Sequence, residues 1–114
     1  MTTSLDDTLA ALAEPTRRGV IDLLRVSPLP AGELASALHM SPPAMSRHLR
    51  VLRLKGLVEE EHVGREDARL RVYRLRREPF VQLRNWAAEV ESLWCKQLES
   101  FREYAETTTK GKRP

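Results

Sequence analysis

Apolar residues recur along the chain at changing intervals, and each change marks a new element. Leu5, Leu9 and Leu12, with Ala10 and Ala13, fall three and four apart, which predicts a first short helix. Ser4 stands ahead of it as a cap, and Asp6 and Asp7 put negative charge in its first turn. Pro15 suits the opening turn of a second helix, with Val20, Ile21, Leu23 and Leu24 as its core positions before the sequence SPLP ends it. A third helix over AGELASAL places Leu34, Ala35 and Leu38 on one side, and His39, Met40 and Ser41 connect it to a fourth. Ser41 sits where an N-cap belongs. Pro42 and Pro43 then occupy positions whose amide hydrogens a helix leaves unpaired, and Gly56 closes the helix as a C′ glycine. At about 100° per residue, Met45, Leu49 and Leu52 form a core stripe, while Pro43, Ser46, Arg47 and Arg50 gather on the opposite side.

From Leu57 the pattern changes to two β-compatible runs, Leu57 to Val63 and Arg69 to Leu75, around a polar GREDA turn, which predicts a hairpin. Its alternation puts Leu70 and Val72 on one face and Tyr73 and Leu75 on the other. The expectation is a bulge, or a base and tip with different neighbours. Beyond Pro79, Phe80, Leu83, Ala87, Val90, Trp94, Gln97, Phe101 and Tyr104 alternate three and four apart, close to a heptad seam. A single domain is expected over residues 1–106, with a helix-turn-helix at about 31–55, a wing at about 57–75, a last helix at about 79–106 and a disordered tail over 107–114. The class is mainly α with a small β-hairpin, in the order α-α-α-α-β-β-α.

Charge sharpens this picture. The 114 residues include 19 Lys+Arg and 16 Asp+Glu, a mild excess that by itself only permits a polyanionic partner. Its distribution says more, because residues 47–77 hold ten basic and five acidic side chains, whereas residues 78–106 hold three basic and six acidic. Cys95 is the lone cysteine, so no intrachain disulfide forms and a reducing compartment is expected. No basic stretch precedes the first short apolar segment, so no signal peptide is expected. No apolar run approaches about 20 residues, so no membrane span is expected either, and the expectation is a cytoplasmic protein.

A helix, a three-residue link and a capped helix with a polar outer face make a helix-turn-helix, whose second helix enters the DNA major groove N-terminus first. With a basic hairpin following, it becomes a winged helix. Arg47 carries two parallel donors for a guanine edge, and Ser41, Ser46 and Arg50 suit phosphates or a flanking base. On the hairpin, Arg65 and Arg69 are the candidates for the backbone or the adjacent minor groove, tempered by Glu66 and Asp67 at the tip. Glu59, Glu60 and Glu61 read as a solvated strand. The bland alternative for the arginine face is a solvated surface, or an interaction module that meets an acidic protein rather than DNA.

The stretches LAEPTRRGVIDLL, AGELASALHMSPPAMSRHLRVLRLKGLV and VYRL resemble the ArsR/SmtB winged-helix repressors from about Leu9 to Leu75, and more loosely through the last helix. The resemblance implies a homodimer built mainly from the first and last helices that binds a partly palindromic operator, its own promoter being one candidate, and represses transcription. It matches Ser41, Pro43, Ser46, Arg47, His48 and Arg50 to the DNA-contacting helix. The wide apolar arc of the last helix also points to a second copy, with Leu5, Leu9, Leu12, Leu83, Trp86, Val90, Leu93, Trp94 and Phe101 as dimerisation residues.

Two departures from the family pattern matter. His39 stands in the turn where the family usually has glycine. Metal-sensing members carry paired cysteines on the third helix, or His and carboxylate ligands on the last, but here AGELASAL has neither Cys nor His and the last helix has Cys95 without a histidine. The expectation is therefore the non-metal-sensing branch, with no metal and no cofactor. Cys95, beside Trp94, reads as packing rather than a reactive thiol. No nucleophile–base pair, phosphate loop or carboxylate pair suggests an enzyme. A small-molecule inducer stays open as a partner, although no residue indicates one.

Overall fold

The computed structural model describes residues 4–65 and 69–111. Five helices and two strands follow in the order α1 (Leu5–Leu12), α2 (Pro15–Leu24), α3 (Ala31–Ala37), α4 (Pro42–Leu54), β1 (Val58–Val63), β2 (Leu70–Leu75) and α5 (Arg77–Gly111). The chain divides into two compact units, Met1–Gln82 and Leu83–Pro114, where one domain through residue 106 was expected. The last helix also starts before Pro79 and runs past residue 106 to Gly111, so residues 107–111, expected as tail, are helical. Threonine costs a helix only a few tenths of a kcal/mol per residue, about 0.5 or less relative to neighbouring types, so a run of three is no stop signal. Within the second unit, every side chain from Arg84 to Thr107 is exposed.

In the first unit, α1 departs from the expected stripe. Its buried residues are Thr8 and Ala11, whereas Leu5 is half-buried and Leu9 is exposed. The buried face is therefore turned toward the small side chains, which permit close approach. The Thr8 hydroxyl meets its hydrogen-bonding need by donating to the Ser4 carbonyl at 3.2 Å. Ser4 accepts from the Asp7 amide at 3.1 Å, as its capping position predicts. The end of α1 is satisfied from α2, since Arg17 Nε donates to the Ala11 carbonyl at 2.6 Å and Arg18 Nη1 to the Leu12 carbonyl at 2.7 Å.

Val20, Leu24, Leu34, Ala35, Met45, Leu49, Leu52, Leu57, Val58 and Tyr73 join Ala11 in one buried cluster, with Leu12, Ile21, Leu38 and Phe80 packed against it. The stripe Met45, Leu49 and Leu52 fastens α4 into this core and leaves its opposite side outward. Between α3 and α4, His39 takes φ 54° in the left-handed region, where histidine costs more than glycine but less than a β-branched residue. The Met40 amide then closes the turn onto the Ala35 carbonyl at 2.9 Å.

The start of α4 is fixed by side-chain chemistry. Pro42 and Pro43 have no amide hydrogens, the Ala44 amide donates to Ser41 Oγ at 3.3 Å, and the Met45 amide donates to the Ser41 carbonyl at 3.0 Å. Ser41→Ala is therefore expected to destabilise the fold by about 1 kcal/mol, the usual cost of a lost N-cap. A urea titration in which the midpoint does not move would contradict this.

The two strands pair antiparallel in unbroken register, from Val58 opposite Leu75 to Val63 opposite Leu70. No bulge interrupts them. The second expectation fits instead, because base and tip have different neighbours. Val72 and Tyr73 are buried, while Leu70 at the tip is exposed. Leu29 pairs with Tyr73 through two backbone hydrogen bonds of 3.1 and 2.9 Å on the free edge of β2.

Candidate nucleic-acid interface

The outer side of α4 carries Pro43, Ser46, Arg47 and Arg50, all exposed. Neither Arg47 nor Arg50 makes an ion pair or side-chain hydrogen bond with the described residues, so each guanidinium keeps its full set of donors. Ser41 serves first as the cap of its own helix. Its oxygen accepts there, and its hydroxyl proton remains a donor. His48, matched to the DNA-contacting set from the sequence, is half-buried and faces inward, with Nδ1 3.8 Å from Glu14 Oε2. That carboxylate also caps α2, accepting from the Arg17 amide at 2.9 Å. Partial burial pushes the Glu14 pKa upward, but the Arg17 amide and the charge of His48, with smaller help from Thr16 and the Arg17 guanidinium, outweigh it and hold the carboxyl below its ordinary value. The geometry thus gives His48 a part in joining α4 to α2.

On the wing, Arg65 and Arg69 are exposed and make no ion pair with the described residues. Glu66 and Asp67, read from the sequence as the acidic tip, lie outside the described residues. The remaining hairpin arginines are engaged. Arg74 reaches Glu59 at 2.7 Å and Glu61 at 3.6 Å, and the hydrogen bond to Glu59, with both negative charges, raises its pKa further. Glu59, Glu60 and Glu61 are consequently half-buried ion-pair partners rather than a solvated strand. The register explains this correction, because it sets Glu59 directly opposite Arg74 and Glu60 opposite Tyr73. Lys55 at the end of α4 is likewise paired, 3.1 Å from Asp7, and its hydrogen bond lowers the Asp7 pKa.

One group went unrecognised in the sequence. Glu60 accepts from Arg53 of α4, lies 3.8 Å from Arg71 Nη1 of β2, and accepts from the Tyr73 hydroxyl at 3.3 Å. The Arg71 guanidinium stands 6.0 Å from the centre of the Tyr73 ring. Burial, followed by the negative charge of Glu60, raises the Tyr73 pKa, so the phenol stays protonated as a donor. Pairing VEEEHV against LRVYRL so that acids meet arginines is the signal that would have revealed this group.

The residues assigned to self-association divide in two. Leu12 belongs with the chain's own core, while Leu5 and Leu83 are half-buried. Leu9, Trp86, Val90, Leu93, Trp94 and Phe101 are exposed, with Phe101 at 71%. Cys95 is exposed as well. Among the described residues no three or more His, Cys, Asp or Glu side chains cluster as metal ligands, and no helix is long and apolar enough to cross a membrane.

The family described as "Bacterial regulatory protein, arsR family" matches residues 14–60, which span α2, the helix-turn-helix and half of β1. The HTH-type transcriptional regulator Rv2034 of Mycobacterium tuberculosis is 36% identical over 98 residues, covering 86% of this chain and 85% of the relative. The chain belongs to the ArsR family. A second similar protein, the HTH-type transcriptional regulator NmtR of M. tuberculosis, is 48% identical over 58 residues, 51% of this chain and 48% of the relative. An ArsR-like transcriptional regulator from Rhodococcus sp. RHA1 superposes with a TM-score of 0.73 at 29% identity, covering 90% of this chain and 91% of that one. The winged helix described above is therefore that of an ArsR-family transcriptional regulator.

Proposed function

We propose that this ArsR-family DNA-binding regulator is a homodimeric repressor that reads a partly palindromic double-stranded operator, with its own promoter as one candidate location. The observation that carries the reading is the division of the basic residues. Among the described residues, Arg47 and Arg50 on α4 and Arg65 and Arg69 on the wing are exposed and make no ion pair, while Arg53, Lys55, Arg71 and Arg74 are held by carboxylates. Arg47 sits in the N-terminal half of the recognition helix and takes the base edge, with Arg50 and Ser46 beside it toward phosphates and flanking bases. Arg65 and Arg69 take the backbone or the neighbouring minor groove. The exposed seam of α5, with Leu9 of α1, joins two copies so that their recognition helices meet successive major grooves about 34–36 Å apart. The protein works in the cytoplasm, not as an enzyme, and outside the metal-sensing branch, since the family's ligand positions lack the donors.

The test is binding of the full chain to an operator duplex enriched from a random library, beside a scrambled duplex, across a salt series. Arg47→Ala is expected to lower the preference for the operator by about 1–3 kcal/mol, roughly five- to 150-fold, while changing scrambled-duplex binding much less. Equal losses on both duplexes would reduce Arg47 to a phosphate contact. A wild-type chain that does not distinguish the two duplexes would sink the operator reading.

A further inference from the structure

Between α4 and the wing lies a shallow pocket of about 230 Å³, lined among others by Ser46, Arg50 and Arg53 from the helix and by Glu60, Arg71 and Tyr73 from the hairpin. Two of these, Ser46 and Arg50, belong to the outer face of the recognition helix, so the pocket is continuous with the surface assigned to DNA. Its charge is lopsided. Three guanidinium groups face one carboxylate, which leaves a net of two positive charges in a small concave space. Glu60 holds Arg53 and Arg71 side by side, yet it engages one Nη of each, and a guanidinium carries five N–H donors. Arg50 makes no ion pair with the described residues. The arrangement therefore offers several cationic donors whose side chains are already positioned, and Tyr73, anchored in the core, fixes the floor beneath Arg71.

The topology decides which anion this pocket meets. A recognition helix in the major groove and a wing at the adjacent minor groove straddle the sugar-phosphate strand that separates the two grooves. We infer that the pocket seats a backbone phosphodiester of that strand, with Arg50, Arg53 and Arg71 as its donors and Glu60 as the residue that positions two of them. The inference rests on the reading of the protein as an operator-binding regulator and assigns contacts to Arg53 and Arg71, whose ion pairs would otherwise mark them as purely structural. A phosphate seated here fixes the register of helix and wing together without reading sequence.

The experiment compares the salt dependence of binding for the full chain, Arg53→Gln, Arg71→Gln and the double variant on both duplexes. Arg53 and Arg71 side chains are 47% and 56% exposed, so the variants are expected to fold, which thermal unfolding checks. The expected result for the double variant is a log–log salt slope shallower by about 0.9, the contribution of one phosphate, and about tenfold weaker binding to both duplexes with the preference between them retained. Arg71→Lys, which keeps the charge beside Glu60, restores the slope. A double variant that folds and keeps the full slope overturns the inference while leaving operator binding intact. Absence of any duplex preference in the wild-type chain overturns the functional reading and this inference together. A second arm titrates inorganic phosphate into the free protein while the arginine Nε–H resonances are followed. No saturation is expected at ordinary buffer concentrations, and tight saturation combined with an unaltered DNA slope would reassign the pocket to a free anion and overturn the inference.

Discussion

Leu52→Ala is expected to lower the unfolding free energy by about 2–5 kcal/mol, the range found where a large buried aliphatic side chain is truncated. Leu52 is fully buried and shares its stripe with Met45 and Leu49, both equally covered. It lies in the last turn and a half of α4, directly before Leu57 and Val58, which carry the same core into the wing. The space left by its missing atoms has walls from more than one element, so collapse of one helix alone does not fill it. For a domain whose total stability is of order 5–15 kcal/mol, the loss removes a substantial share. Urea unfolding should show a lower midpoint at an unchanged slope, since the surface exposed on unfolding is nearly the same. A change below about 0.5 kcal/mol, the scale of surface substitutions, would mean that Leu52 does not hold α4 in place.

Val90→Glu is expected to have the opposite signature, with little effect on the single chain and a large one on assembly. Val90 is 49% exposed within the chain, and glutamate is the better helix former, so α5 itself loses nothing by the change. In the proposed dimer the same position lies in the seam with Trp86, Trp94 and Phe101. A carboxylate buried there without a partner costs several kcal/mol, about what a marginal interface can supply. Sedimentation at micromolar concentration should show a monomer where the wild-type chain is a dimer. Operator binding should fall by about 100-fold or more, since one recognition helix is then left to bind a half-site alone. If the variant remains a dimer with full operator affinity, the seam lies elsewhere on the molecule.

The helix-turn-helix could be read from the sequence because local chemistry specifies it. Ser41, the two prolines, Gly56 and the Met45–Leu49–Leu52 stripe each act within a turn or two of their own position, and all occupy their expected places. The departure from glycine at His39 was visible too, but that the turn is left-handed there came from the structure. What escaped depends on contacts between elements. The buried face of α1 centres on Thr8 and Ala11, which a ranking by hydrophobicity passes over in favour of leucines. His48 was grouped with the DNA-contacting set by its place in the motif, and its approach to Glu14 across the fold became visible only in the structure. The Glu60 group needed the strand register, which an ambiguous turn length does not supply. Arg47, Arg50, Arg65 and Arg69, assigned to DNA from the sequence, are exposed, and how they differ from Arg53, Arg71 and Arg74 became visible only with the carboxylates in place.

The opening turn of α4 has a consequence for how such a regulator evolves. Many DNA-binding helices grip a phosphate with the free amides at their N-terminus, a contact that every sequence possesses and that no substitution short of proline removes. Here two prolines remove two of the four amides that a helix start leaves unpaired, and the Ser41 hydroxyl takes a third, that of Ala44. Little main chain at this end of the helix is left for DNA. Most polar contacts from its leading edge therefore come from replaceable side chains, so operator preference can drift one residue at a time with little backbone anchor holding the old register.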